Sequence, residues 1–385
     1  MRAVFEINRI ANRLATFKTA RVPSVSRVGR TLLARPFPAN ATRRILLAYV
    51  DDQLAYTQFN ALLRYERRFA ARGIHFRAIP HTALRADRLP AKLDALFLQS
   101  VYVPPAGALE AQLAAIRQAR PDLRIAYFDW FAPTDIRLAA RVEPWVDAYV
   151  KKSLLRDRAR YLQPTAGHTN LTDYYGARFG TDNPPPTWTI PPAIVDRLTV
   201  GPSFSTGQAL IGLFEAAETP PDGDRPIDLH ARIATKGSPW YSAMRQEAAT
   251  AVDTHFGDLT VARQGLIPKK LYMREMEQSK ICFSPFGYGE ICWRDFEAIA
   301  AGAVLLKPDM SHIESVPDIY LPFETYLPVR WDLADIDERV RAALADPAGM
   351  RRMAERAFAV VRDHLRGEAL FDLVDRLSTA PQRRA

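Results

Sequence analysis

The sequence predicts an α/β fold of two similar-sized domains, each a parallel sheet covered by helices, with a cleft between the two sheets. Three observations predict it. Short apolar runs alternate with segments of helical period in both halves of the chain, as β-α-β units with buried parallel strands require. A proline-rich break separates the halves. At 385 residues, 48% hydrophobic and 25% charged, the chain is an ordinary globular sequence too long for one core.

The elements follow in order. Residues 45–50 read as a buried strand ending at Asp51 and Asp52. Residues 53–72 are helical, with Leu54, Phe59, Leu62, Leu63, Tyr65 and Phe69 near helical spacing, and Gly73 stops them. Strands are expected at 74–79, 95–98, 124–128 and 148–150, and helices at 109–118, 134–141 and 153–161. Pro184-Pro185-Pro186 and Pro191-Pro192 can continue neither a helix nor a central strand. The second half repeats the alternation, with strands at 227–234, 259–263, 281–284 and 303–307. Helices fit 208–217, 240–254, 269–278, 290–301, 333–344 and 347–365. The domains are therefore a basic tail over 1–43, an α/β domain over 44–182, a linker region over 183–226 and a second α/β domain over 227–385.

The net charge is +9, and residues 1–44 hold ten arginines and lysines against one acid, Glu6. A solvated tail is the plain reading; an electrostatic contact with an anionic membrane surface is the functional one. No run of about 18 apolar residues occurs, which argues against a spanning helix. No helix-turn-helix, finger or aromatic RNA-binding signature accompanies the charge, so no specific nucleic acid is expected. The two cysteines, Cys282 and Cys292, form neither a zinc set nor a disulfide framework and read as packed side chains. They fit a cytoplasmic protein, peripheral on the membrane if the tail binds there.

The chemistry concentrates between Ser279 and Pro308. There Phe286-Gly287-Tyr288-Gly289 lies between an expected strand and an expected helix that bears Glu290, Arg294 and Glu297 on one face. Glycines permit close backbone approach, and the free N–H groups at a helix start suit a diphosphate. A glutamate can accept hydrogen bonds from sugar hydroxyls, and an arginine can neutralise phosphate. The plain alternative is an exposed ion-pair row worth little.

The stretch SPFGYGEICWRDFEAIAAGAVLLKP resembles the nucleotide-sugar-binding segment of exostosin-like glycosyltransferases and, more broadly, the C-terminal half of GT-B and family 1-like glycosyltransferases. Gly287, Gly289, Arg294, Glu297 and Gly302 occupy the matching positions. The resemblance implies a GT-B-like fold of two Rossmann-like domains facing a central cleft. It implies that Glu297 holds the donor ribose, with Arg294 beside the donor, and adds Tyr288 and Glu290 to the donor loop. Glu290 and Glu297 stand seven apart, where the retaining pattern has eight, which puts a catalytic role for Glu290 in doubt and leaves stereochemistry open. A second stretch, with Arg232, Lys236 and Gly237, is similar to the Arg…Lys-Gly element that neutralises the donor diphosphate.

An inverting reaction needs a base to deprotonate the acceptor hydroxyl. Asp129, Asp51 and His81 follow expected strand ends of the first half and are the catalytic candidates, with Asp52 beside Asp51. Capping and core packing are the plain readings of each. The polar stretch 165–173, with His168 and Asp173, could be an acceptor loop, and His312 could contact the donor. The expected function is a hexosyl- or related glycosyltransferase that moves a sugar from a nucleotide-sugar co-substrate to a glycan or lipid-linked acceptor in cell-envelope or polysaccharide synthesis. No metal site and no cofactor are expected. The alternatives are a nucleotide- or glycan-binding protein without turnover and a basic nucleic-acid-binding protein.

Overall fold

The computed structural model describes residues 36–164, 170–181, 190–263, 265 and 267–379. Most of the basic tail, His168 and the Pro184–Pro186 run lie outside the described residues.

Among the described residues, eleven of the thirteen strands fall into two parallel sheets. The first sheet joins β1 (Arg43–Tyr49), β2 (Ile74–Pro80), β3 (Ala95–Leu98), β4 (Arg124–Asp129), β5 (Ala148–Lys151) and β7 (Leu198–Val200) in the order β2-β1-β3-β4-β5-β7. All residues of β3, β4 and β5 are buried, as strands covered on both faces must be. The second sheet has β8 (Ile227–Ala231), β9 (Val261–Arg263), β10 (Ser279–Phe283), β11 (Val304–Pro308) and β13 (Leu327–Val329) in the order β13-β11-β10-β8-β9. This is the expected pair of parallel sheets, each a Rossmann-like set of strands.

Helices α1 (Gln53–Arg64), α2 (Glu66–Ala70), α3 (Ala108–Ala119), α4 (Ala139–Val142), α5 (Asn170–Phe179) and α6 (Gln208–Ala216) belong to the first half. The second half carries α7 (Pro239–His255), α8 (Lys269–Glu277), α9 (Trp293–Ala300), α10 (Ile336–Leu344), α11 (Pro347–Arg366) and α12 (Ala369–Thr379). The last helix returns to the first sheet, where Phe371 packs 4.3 Å from Phe69 between ring centroids. One apolar core runs without a break from β1 through Phe296 of α9 to Phe371.

Several elements differ from expectation for local reasons. The helix expected over 290–301 begins only at Trp293, because the Asp295 carboxylate accepts the Cys292 N–H at 2.9 Å and sets the first turn there. Residues expected to form a helix over 153–161 instead supply β6 (Ser153–Leu155). This strand pairs antiparallel with β12 (Ile313–Ser315) and so stitches the two halves together. Asp157 then starts a 3-10 turn by accepting the Ala159 N–H at 3.0 Å. The helix expected over 134–141 is reduced to α4, since Asp135 turns back to pair with Arg137. Within the stretch read as a linker, β7 completes the first sheet beside β5 and α6 packs on α11.

Candidate functional site

The loops at the carboxyl ends of the two sheets meet across the cleft, where open α/β sheets bind ligands. On the second-domain side the glycine loop is held by a buried network centred on Asp295. Its carboxylate accepts from Ser284 Oγ at 2.6 Å, Tyr320 OH at 2.7 Å and Lys307 Nζ at 3.1 Å. Arg245 of α7 adds a brace, donating to the Ala234 carbonyl at 2.9 Å and the Phe286 carbonyl at 2.8 Å. These bonds tie the loop after β8 to the loop after β10. The sequence reading missed both Asp295 and Arg245. The one sequence signal for Asp295 was an acid five residues after the start of the expected helix.

Arg294 lies between the ends of β8 and β10. Its guanidinium donates to the Phe283 carbonyl at 3.2 Å, to Tyr272 OH at 3.3 Å and to the Arg232 carbonyl. Arg232 forms a two-point pair with Glu275 at 2.6 and 2.9 Å. One turn after Arg294, Glu297 is nearly buried and pairs with Lys269 at the start of α8. His230 sits behind them, buried in β8. Burial first, then the Arg294 charge, pushes its imidazole down to about 4, so it is neutral at pH 7. Lys236 is exposed and has no ion pair among the described residues. Tyr288 stacks on Tyr241 with centroids 4.4 Å apart and accepts the Ser238 N–H at 3.0 Å, so it fixes the loop bearing Lys236. The structure thus brings Arg232, Lys236, Tyr288, Arg294 and Glu297 to one pair of strand ends.

Glu290 is the exception. It precedes α9 rather than sharing its face with Arg294 and Glu297, and it points into the first domain. The carboxyl is fully buried, hydrogen-bonded to Thr134 Oγ1, and leaves Oε1 without a partner among the described residues. Burial raises its pKa. The glycines place the loop: Gly287 N–H donates to the Gly289 carbonyl at 3.1 Å, closing a tight turn. Gly289 then packs directly on the backbone of Ala132 and Pro133.

In the first domain, Asp129 ends β4 wholly buried. It accepts from Lys151 Nζ at 2.9 Å, Tyr149 OH at 2.7 Å and the Phe131 N–H at 2.9 Å. With both oxygens engaged and no access to solvent, it holds the loop after β4 in place, the packing role weighed for it in the sequence. Asp51 stands exposed at the end of β1, while Asp52 caps α1 by accepting the Leu54 N–H at 2.7 Å. His81 follows β2 with Nδ1 3.3 Å from the Tyr49 carbonyl. Asp173 lies on α5 rather than in a loop. His312 packs its ring against Trp331, and burial pushes it down to about 4. Lys152, unremarked in the sequence, follows β5 with a buried ammonium.

The structure thus gathers cations and a carboxylate at the strand ends of the second sheet, with the first domain's loops opposite. Residues 224–371 match the family model described as "Glycosyl transferase-like". Solved structures of similar fold include T4 phage BGT in complex with its UDP-glucose substrate, at 12% identity and TM-score 0.46, over 88% of this chain and 100% of that one. An alpha-glucosyltransferase in complex with UDP and a 13-mer DNA is 13% identical at TM-score 0.46, over 87% and 99% of the two chains. A glycosyltransferase from Rickettsia africae is 8% identical at TM-score 0.47, over 88% and 99%. No curated protein matches the sequence.

Proposed function

We propose that this protein transfers a sugar from a nucleotide-diphosphate donor to a hydroxyl of a glycan or lipid-linked acceptor. The carrying observation is the meeting of Arg232, Arg294 and Glu297 at the ends of β8 and β10, inside the stretch matched to the glycosyl transferase-like family.

In this reading Glu297 accepts hydrogen bonds from the donor ribose, exchanging its Lys269 contact for the two hydroxyls. Lys236 and the first turn of α9 carry the diphosphate, with Arg232 and Arg294 shaping the loop around it. The departing nucleoside diphosphate gains negative charge, and cations fixed near it stabilise the transition state. Side-chain cations do this work without a metal ion. Asp51 is the best placed of the base candidates, since its carboxylate is exposed at a strand end facing the cleft, and His81 is the second. The exposed Val101, Tyr102 and Val103 after β3 offer an apolar and aromatic acceptor surface on the same side. The basic N-terminal segment suits a lipid-linked acceptor at an anionic surface. Among the described residues no helix is long and apolar enough to cross a membrane.

The test is release of nucleoside diphosphate from a panel of UDP-, GDP- and ADP-sugars, with and without glycan and polyprenyl-phosphate acceptors, repeated in EDTA. One donor turned over, with the rate unchanged by EDTA, is the expected result. Binding of a donor without turnover on any acceptor would leave a nucleotide-binding protein instead.

A further inference from the structure

Lys152 lies at the carboxyl edge of the first sheet, directly after β5, and only 2% of it is exposed. Its Nζ has no hydrogen-bond partner among the described residues. The preceding Lys151 already takes the nearest acid, Asp129, at 2.9 Å. A buried amine without an acceptor is costly, and such groups are normally paired. The amine lies over the Phe204 ring at 4.6 Å, and that ring stacks on Trp293, the first residue of α9, at 4.6 Å between centroids. Lys152 therefore reaches from the first domain towards the start of the second domain's donor helix. On either side of Phe204, the buried hydroxyls of Ser203 and Ser205 also lack partners. The first-turn amides of α9 have no acceptor within their own helix.

This is an unusual collection beside a helix start: a buried amine and two buried hydroxyls with no acceptor among the described residues, next to a first turn whose Asp295 N–H alone is taken, by the Cys292 carbonyl at 3.2 Å. A ligand with several anionic oxygens satisfies them together, and a helix start favours such a ligand. We propose that Lys152 is the cation by which the first domain holds the donor's diphosphate, so that the site is complete only when both domains contribute. This rests on the donor reading above and adds a residue outside the family-matched stretch. The groups facing the amine are Lys151 on its own strand, Asp129 on β4, Asp52 ahead of α1 and Cys292 at the start of α9. Burial first, then the Lys151 charge, pushes the amine down to about 7. In the empty protein at pH 8 it is thus mostly neutral, and an arriving phosphate charges it by drawing a proton from solvent.

The experiment is calorimetric titration of the full chain with UDP, GDP and ADP at pH 8 in two buffers of different ionisation enthalpy. Inorganic pyrophosphate and glucuronate are run as separate arms. The nucleotide that binds should take up a proton, since burial lowers the amine's affinity for one in the empty protein. Lys152→Met should abolish the uptake and weaken binding at least tenfold, and Lys152→Arg, always charged, should bind without uptake. Pyrophosphate should show the same uptake more weakly. The wild-type measurement stands even if a variant fails to fold. Binding of a nucleotide with no proton uptake, and unchanged in Lys152→Met, overturns the assignment while leaving the donor reading intact. Lys152-dependent uptake with glucuronate alone overturns it in favour of an acidic acceptor. No binding of any nucleotide overturns the donor reading and this proposal together.

Discussion

Gly289 of the glycine loop rests on Ala132 of the opposite domain so closely that a β-carbon on it would come within 1.9 Å of the Ala132 carbonyl oxygen. The contact is backbone on backbone, so no rotamer change relieves it. Gly289→Ala must part the domains or displace the loop. It is expected to cost about 1–3 kcal/mol of stability, the usual range for overpacking, and to lower kcat/KM at least tenfold. A melting curve and steady-state kinetics check both. Full activity in this variant would show that the contact is not part of the working enzyme.

Asp129 and Lys151 are a buried ion pair with the Tyr149 hydroxyl as third member. Asp129→Ala leaves the lysine charged and alone, and such losses run to about 3–5 kcal/mol. The expected result in urea is a large fall in midpoint. Replacing both residues, with Lys151→Met, should recover much of it. A soluble Asp129→Ala protein of normal stability with activity abolished would instead mark it as the base.

Glu290 is expected to be protonated over a wider pH range than an ordinary carboxyl. Its folded pKa is raised by burial, so its contribution to stability is fully present below the unfolded value of about 4.3. That contribution is lost as pH rises through the higher folded value. Glu290→Gln should therefore flatten the decline in stability above pH 4.3 and match or exceed the wild type at pH 8. Urea midpoints across that range make the comparison; an unaltered slope rules the titration out.

Lys236 and Arg232 should separate in their effects. Lys236 has no ion pair among the described residues, so Lys236→Ala should leave the melting temperature within a degree or so while reducing kcat by about 10- to 1,000-fold, the scale of losing one transition-state charge contact. Arg232→Ala also strips Glu275 of its two-point partner. It should lower both rate and stability.

The two-sheet plan was legible because parallel buried strands are written as continuous apolar runs, and β1, β3, β4 and β10 stand where those runs stand. The loop proposed to bind the donor was marked for a related reason, since Gly287, Gly289, Arg294 and Glu297 lie within eleven residues of chain. What the sequence hid was long-range. Glu290 sits at helical spacing from Arg294, and only the Asp295 bond to the Cys292 N–H, which starts α9 later, takes it off that face. Residues 153–155 look helical until their partner strand at 313–315 is known. Asp129 gave no sign that Lys151 and Tyr149, some twenty residues on, would close around it. Lys152 is one of nine lysines in the chain, and its meaning comes from Phe204 and Trp293, brought together by the fold.

The central claim is that the ends of β8 and β10 bind a nucleoside diphosphate through Glu297 and the cations around it. The most direct measurement is the melting temperature of wild type and Glu297→Ala with saturating UDP, GDP, ADP and their sugars. A ligand at 100 times its Kd stabilises the folded state by about 2.7 kcal/mol, so one nucleotide should raise the wild-type melting temperature by several degrees, with the shift mostly lost in Glu297→Ala. No shift with any nucleotide, or an equal shift in both proteins, would contradict it.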